Sequence, residues 1–313
     1  MATPAIGFFG KLPWHGDFLR DAPTGAPLDL IDSWLESAPI GPPGPRTAAF
    51  DSAGPSLAMV RTRGHWWAMA LQPSQDAVGR RFPFCVMAGL PEQDFGGEAA
   101  LVPLMWLPFL GRCLQQAARG WGADPAALRE TVRACAQPVD AEGAGRRLVD
   151  ALADHRVGKL WTGLLGSPGD PRRAGVWADV VALASDPGER TGLILHPLAN
   201  QLHLAFVLML QQMLGSGAAA PVLIAMHPGK PGDAPGSAIL WGRPTAAECL
   251  GALWPSMPGA EVSRFHDPVR RPATIGDPDL APESLDDPDL SLRDLLHEVG
   301  SATRRHVRRP RPG

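Results

Sequence analysis

The sequence has no hydrophobic run long enough to cross a membrane, no tyrosine, and four cysteines among its 313 residues. Its longest apolar stretches are residues 202–214, interrupted by a histidine and two glutamines, and residues 101–110, interrupted by two prolines. A membrane-spanning helix requires about 20 apolar residues, so neither stretch predicts one. The first five residues also lack the basic region and apolar core of a signal peptide. We therefore expect a cytoplasmic protein without direct membrane insertion.

The cysteines do not form a metal-binding pattern. Cys85, Cys113, Cys135 and Cys249 are widely separated and lie in apolar surroundings, without a Cys-x-x-Cys pair or a Cys/His cluster. Structural zinc sites need such closely spaced ligands. The pattern instead predicts buried, reduced thiols.

Motifs of the common enzyme classes are missing as well. Residues 7–12 contain glycine and lysine but neither the spacing nor the hydroxyl group of a phosphate-binding loop. There is no HExxH zinc motif and no GxSxG nucleophile motif, and the nine histidines are scattered. A net charge of -3 gives no basis for a nucleic-acid partner. These absences argue against catalytic residues, a metal and a cofactor, but they do not by themselves exclude an enzyme.

Hydrophobic periodicity predicts an α/β (α+β) fold with a largely antiparallel sheet flanked by helices. Short connections between the early strands favour antiparallel pairing. We expect two mixed lobes packed together, residues 1–145 and 146–265, followed by a flexible tail at 266–313. The predicted strands are 5–12, 56–62, 65–71, 82–88, 176–183, 191–196, 221–226 and 238–241. The predicted helices are 28–35, 101–121, 125–135, 141–156, 198–214 and 245–254.

The predicted tail separates its charges. Residues 272–292 contain six acidic and no basic residues, whereas the last ten residues contain five arginines. Such a segment has too little apolar surface to offset its ordering entropy. Within it, residues 291–299 predict a short amphipathic helix, with Leu292, Leu295, Leu296 and Val299 on one face. This face fits either the groove of a partner or the protein's own domain.

Two segments combine apolar residues, glycine, proline and charge. The first, residues 7–20, reads Gly-Phe-Phe-Gly-Lys-Leu-Pro-Trp-His-Gly-Asp-Phe-Leu-Arg. The second, residues 73–84, reads Pro-Ser-Gln-Asp-Ala-Val-Gly-Arg-Arg-Phe-Pro-Phe. In the first segment, His15 and Asp17 could form an acid/base pair or supply two metal ligands. Alternatively, Asp17 accepts backbone hydrogen bonds and fixes the turn after the first strand.

The second segment carries a pair of opposite charges. Asp76 and Arg80 are four residues apart, a spacing that suits an ion pair across one helical turn. With Asp17 and Arg20 they could form one polar surface for a protein partner. Alternatively, the charges form an internal salt-bridge network that joins the two loops. Trp14, between a proline and a histidine, is the tryptophan we expect to be exposed.

These two segments resemble the signature segments of the TagF family, also called ImpM, which is associated with type VI secretion systems. The resemblance covers about the first 140 residues and is less clear to about 260. His15 stands where the family pattern has Arg or Ser-Arg, and Gln75 and Ala77 replace residues that are more often Val and a basic residue. These differences reduce the loop charge and leave the fold assignment unchanged.

The resemblance implies a cytoplasmic, non-enzymatic regulator that restrains type VI secretion after translation by binding a forkhead-associated scaffold protein. The rival hypothesis is a metal-dependent hydrolase that uses His15, Asp17 and Asp76. The oligomeric state is not predicted. The candidate protein-binding residues are Trp14, His15, Asp17, Arg20, Asp76, Arg80 and Arg81 in the loops, and Leu292, Leu295 and Leu296 in the tail helix.

Overall fold

One antiparallel sheet forms the centre of the computed structural model, which describes residues 2–36, 44–122, 124–136, 139–185, 190–195, 199–214, 221–227, 236–262, 265–267 and 282–307. Within these residues, no helix is both long enough and apolar enough to cross a membrane. The strands are β1 (Ala5–Gly10), β2 (Leu19–Asp21), β3 (Ser56–Thr62), β4 (His65–Gln72), β5 (Phe84–Pro91), β6 (Arg190–Leu195), β7 (Leu223–Met226) and β8 (Ser237–Gly242).

Helices cover both faces of the sheet. They are α1 (Leu28–Glu36), α2 (Pro45–Ser52), α3 (Val102–Arg119), α4 (Pro125–Cys135), α5 (Ala141–Asp154), α6 (Val157–Leu165), α7 (Arg173–Ser185), α8 (Gln201–Leu214), α9 (Ala246–Leu253) and α10 (Leu292–Val307). Short 3-10 helices lie at Glu92–Phe95, Ala99–Leu101 and Glu283–Asp286.

The sheet runs without a break through both predicted lobes. Its strand order is β2-β1-β5-β4-β3-β7-β8-β6, and every neighbouring pair is antiparallel. The two halves join where β3 pairs with β7, with Leu57 opposite Met226. The fold class and the antiparallel pairing are as predicted, and the two lobes share one sheet.

Two apolar cores lie on opposite faces of the sheet. Helices α3–α8 and α10 pack on one face, and α1, α2 and α9 pack on the other. The consecutive residues Trp66 and Trp67 illustrate the alternation of a strand, because both are buried and each belongs to a different core. A strand covered on both faces reads as a continuous apolar run, as His65–Gln72 does. All four cysteines are free and buried, as predicted.

The strand predicted at 176–183 is wrong, because this segment belongs to helix α7. Its valines favour a strand locally, but Val176, Trp177, Val180, Val181 and Ala184 are buried at a helical spacing. Helices α2 and α6 have no counterpart among the predicted elements.

The prediction of a flexible tail is wrong for the described residues after 281. Leu292 and Leu295 are completely buried, and Leu296 and Val299 are 4% exposed in the larger core. Ser291 caps α10, since its hydroxyl oxygen accepts the Asp294 backbone N–H at 3.1 Å. The alternative that this helix docks on its own domain is therefore confirmed. The tail residues 268–281 and 308–313 lie outside the described part of the chain.

Candidate protein-binding site

The first signature segment leaves β1 through a close crossing of two backbone chains. Gly10 has φ +121°, and a Cβ atom there would lie 2.1 Å from the carbonyl oxygen of Pro83. A side chain at this position would therefore meet both backbone strain and a steric clash. The crossing holds the loop after β1 against the residues that lead into β5.

Asp76 is the centre of the contact between the two loops. Its side chain is fully buried. Oδ1 accepts the backbone N–H groups of Val78 (3.1 Å) and Arg80 (2.8 Å). Oδ2 accepts from Nε of Arg80 at 2.6 Å and from Nζ of Lys11 at 3.1 Å. The carboxylate thus binds two cations and two backbone amides.

These contacts decide the ionisation of Asp76. Burial alone would raise the pKa of its carboxyl group, but hydrogen bonds from the backbone and side chain of Arg80, from Lys11 and from the Val78 amide outweigh burial. The pKa of Asp76 therefore lies well below its usual value of 3.8. Asp76 is an anion that holds the loops together.

Arg80 continues the network into the first loop. Its Nη2 donates to the carbonyl oxygen of Gly16 at 2.7 Å, and the Ala77 backbone N–H donates to the carbonyl oxygen of His15 at 2.9 Å. The alternative of an internal salt-bridge network is thus confirmed for Asp76 and Arg80. Because Asp76 is 2% exposed, it cannot itself contact a partner, whereas the Arg80 side chain is 57% exposed.

The other predicted charged residues are placed differently. Arg81 donates from Nε and Nη2 to the two carboxylate oxygens of Asp51 in α2, each at 2.7 Å. Arg20, on the edge strand β2, is exposed. Asp17 is exposed and accepts the backbone N–H of Phe18 at 2.9 Å, which is the turn-fixing role.

The geometry does not support the metal site of the rival hypothesis. Asp76 is surrounded by Lys11 and Arg80, while Asp17 lies on the exposed side of its loop. Among the described residues, no group of three or more His, Cys, Asp and Glu side chains is arranged to hold a metal ion. His15 is half-buried, and its contribution to the junction is its backbone carbonyl.

The joined loops expose three large apolar side chains. Trp14 is 50% exposed, as expected from its sequence position, Phe18 is 39% exposed and Val78 is 71% exposed. Phe18 packs edge-to-face on Phe82 with ring centroids 4.8 Å apart, so its orientation is fixed. Phe18 and Val78 were not predicted. Val78 could have been found from its position in a tight turn between Asp76 and Gly79, where an apolar side chain has no core to enter.

An open cleft of about 450 Å³ lies beside Trp14. Its lining includes the apolar residues Pro13, Pro73 and Trp121 and the charged residue Asp51. The indole N–H of Trp121 donates to Gln72 Oε1 at 3.2 Å. The cleft extends the apolar surface of the two loops.

Comparison with known protein families finds a match over the part of the chain that contains both loops. The model of the TagF N-terminal domain, which is type VI secretion system-associated, matches residues 7–135 and so includes both loops. No curated protein matches the chain. A crystal structure of PA0076 from Pseudomonas aeruginosa PAO1 is 23% identical over 43% of this chain and 64% of that chain, with a TM-score of 0.31.

The match to PA0076 spans less than two thirds of that protein, and a TM-score of this size carries no conclusion about a shared fold. The likeness to TagF proteins rests on the domain match. This match includes both segments whose residues form the junction around Asp76. Residues 7–135 of the chain therefore match the TagF N-terminal domain, which is type VI secretion system-associated.

Proposed function

We propose that this protein is a negative regulator of type VI secretion that acts after translation, in the cytoplasm, by binding a forkhead-associated scaffold protein. The observation that carries the proposal is the rigid junction of the two loops, which presents Trp14, Phe18 and Val78 to solvent. The match to the TagF N-terminal domain at residues 7–135 supports the association with type VI secretion. The activity is binding, with no cofactor.

The junction suits protein recognition because its shape is fixed before binding. Ordering a mobile loop reduces affinity, and here hydrogen bonds from Arg80 and Ala77 hold the first loop in place. Aromatic side chains that are exposed on a rigid surface are frequent energetic centres of interfaces. Trp14 and Phe18 meet this description.

The candidate residues take two roles under this proposal. Trp14, Phe18 and Val78 contact the partner, with Asp17, Arg20 and the exposed guanidinium group of Arg80 at the polar border. Positioning of the loops falls to Asp76, His15 and Arg81. Leu292, Leu295 and Leu296 leave the set of contact residues because they are buried in the protein's own core.

The test is a binding measurement with the purified scaffold protein, using the full chain, a Trp14→Ala variant and two valine variants. Val78→Ser lies in the proposed surface, and Val149→Ser is a matched control because Val149 is also largely exposed, on α5. We expect Trp14→Ala to weaken binding by roughly 30-fold, the effect of losing about 2 kcal/mol at an interface centre. Val78→Ser should weaken binding, and Val149→Ser should not.

The two parts of the proposal fail separately. If the unaltered chain does not bind the forkhead-associated scaffold, the partner is wrong. If it binds and folded Trp14→Ala and Val78→Ser variants bind equally well, the partner stands and the loop surface is wrong.

A further inference from the structure

A pair of histidines lies far from the loop junction, where α5, α6 and α8 meet. His155 follows the last residue of α5, and His203 lies in the first turn of α8. Their Nε2 atoms are 3.1 Å apart and the rings meet edge-to-face, with centroids separated by 5.0 Å. His203 is 3% exposed, and His155 is half-buried.

The hydrogen-bond partners assign the protons of this pair. The backbone N–H of Asn200 donates to Nδ1 of His203 at 3.0 Å, so Nδ1 carries no proton. A neutral imidazole then has its proton on Nε2, and this N–H points to Nε2 of His155. His155 must therefore accept with an unprotonated Nε2. The contact requires two neutral rings and leaves His203 no nitrogen lone pair for a metal ion.

Protonation is opposed at both rings. Burial and the neighbouring His155 lower the pKa of His203 from 6.5 to about 4. The N-terminal end of α8 also disfavours a cation. Burial, followed by the positive charge of Lys159, lowers the pKa of His155.

Few other charges face the pair from the elements around it. Lys159 is the only charged residue of α6, and α8 has no ionisable side chain besides His203. Helix α5 ends with the exposed Asp154, and the exposed Arg156 follows His155 and donates to the Asp289 carbonyl oxygen at 3.3 Å. The segment that enters α10 and its first turn carry Asp287, Asp289, Arg293 and Asp294. Of these carboxylates, Asp287 accepts the Asp289 backbone N–H and Asp294 accepts the Ser291 hydroxyl.

The histidine pair is connected through the backbone to the docking site of α10. The carbonyl oxygen of His155 accepts the backbone N–H of Leu292, the first residue of α10, at 2.9 Å. The next residues extend this ladder, with Val157 N–H donating to Leu290 and Gly158 N–H to Pro288. Helices α5, α6 and α8 all contact α10.

There is no free space into which the His203 ring could move towards α6. A Cβ atom on Gly163 would lie 2.4 Å from that ring, so the ring packs directly on the helix backbone. Repulsion between two protonated rings must therefore displace the end of α5 or the start of α8. Either movement disturbs the docking site of α10.

We propose that the His155–His203 pair is an acid-sensitive latch, which keeps α10 docked while both rings are neutral and releases it when they are protonated. Release uncovers the apolar face formed by Leu292, Leu295, Leu296 and Val299. The latch is separate from the loop surface, and it does not depend on the binding function proposed for that surface.

The sign and size of the effect follow from linkage. Both rings have depressed pKa values in the docked state, so the released state binds protons more readily, and docking weakens as the pH falls below 6.5. For a pKa that changes from about 4 to 6.5 on release, the released population rises about 30-fold between pH 7.5 and pH 5.0 from His203 alone.

Hydrogen exchange measured by mass spectrometry on the full chain tests the latch. After correction for intrinsic rates, we expect the opening of α10 to increase about 30-fold between pH 7.5 and pH 5.0, while β4 stays protected. His203→Gln should remove most of this increase and His155→Gln should reduce it. The matched control is His297→Gln, since His297 is an exposed residue of α10 itself, and this variant should behave as the unaltered chain.

Three results would overturn the proposal. The first is an unaltered chain in which α10 exchange shows no acid dependence. The second is equal acceleration in α10 and β4, which indicates global unfolding. The third is an unchanged acid response in the histidine variants, and His155→Gln decides this point if His203→Gln does not fold.

Discussion

Replacing Leu295 with alanine tests whether α10 is part of the core. Leu295 is completely buried, and the substitution removes three carbon atoms from the larger core. At about 0.8 kcal/mol for each buried methylene, the transfer cost is about 2.4 kcal/mol. The remaining cavity adds to this cost, so we expect a loss of about 3–5 kcal/mol in the free energy of unfolding.

Urea denaturation measures this loss, and hydrogen exchange shows where it occurs. If the docking free energy of α10 is smaller than the loss, the variant leaves α10 undocked, and its amides exchange at the rates of an unfolded segment. Val149→Ala is the control, because Val149 is 53% exposed on α5 and its truncation should change stability by at most about 0.5 kcal/mol.

This experiment distinguishes a C-terminal helix that packs in the core from a tail that does not pack. A tail that does not pack would tolerate Leu295→Ala as easily as the surface tolerates Val149→Ala. A change below about 1 kcal/mol, together with α10 exchange equal to that of the unaltered chain, would refute the assignment of α10 to the core.

Two further predictions concern the loop junction. Gly10→Ala should lower the free energy of unfolding by more than about 1 kcal/mol, because Gly10 has a positive φ and a Cβ atom there would clash with Pro83. Gly16→Ala should be nearly neutral, since a Cβ atom there meets nothing within 4 Å. Equal urea midpoints for the two variants would contradict this reasoning. Asp76→Asn should lower Tm at pH 7 more than Asp17→Asn does. The depressed pKa of Asp76 means that its ionised form stabilises the fold above about pH 4 and that this contribution is lost on further acidification, so Asp76→Asn should also flatten the decline in Tm below pH 4. An acid profile identical to that of the unaltered chain would count against the carboxylate network.

Local signals were sufficient for the β3–β4 hairpin. The turn Arg63-Gly64 has positive φ at both residues, 47° and 77°, which is the geometry of a two-residue hairpin. The predicted strand 56–62 has the observed bounds, and 65–71 is one residue shorter than β4. Here the sequence itself determines both the turn and the pairing register.

Long-range packing explains what the sequence could not show. The spacing of its leucines allowed α10 to dock either on a partner or on its own domain. Its apolar face is buried by α5, α6 and α8, which lie far earlier in the chain. The Asp76–Arg80 pair was predictable from its spacing of four residues. Its bonds to Lys11 and Gly16 were not, since they join residues more than 60 positions apart.

The departures from the family pattern fall at positions where the side chain does not hold the junction. His15 contributes its carbonyl oxygen and Ala77 its backbone N–H, and Gln75 pairs with Arg81 through the backbone. Any residue except proline can supply the amide donor, so these substitutions leave the bonds intact. The bonds that do require a particular side chain come from Asp76, Arg80 and Lys11. The charged part of the two segments therefore builds the scaffold, and the side chains that the scaffold exposes are where partner specificity should be sought.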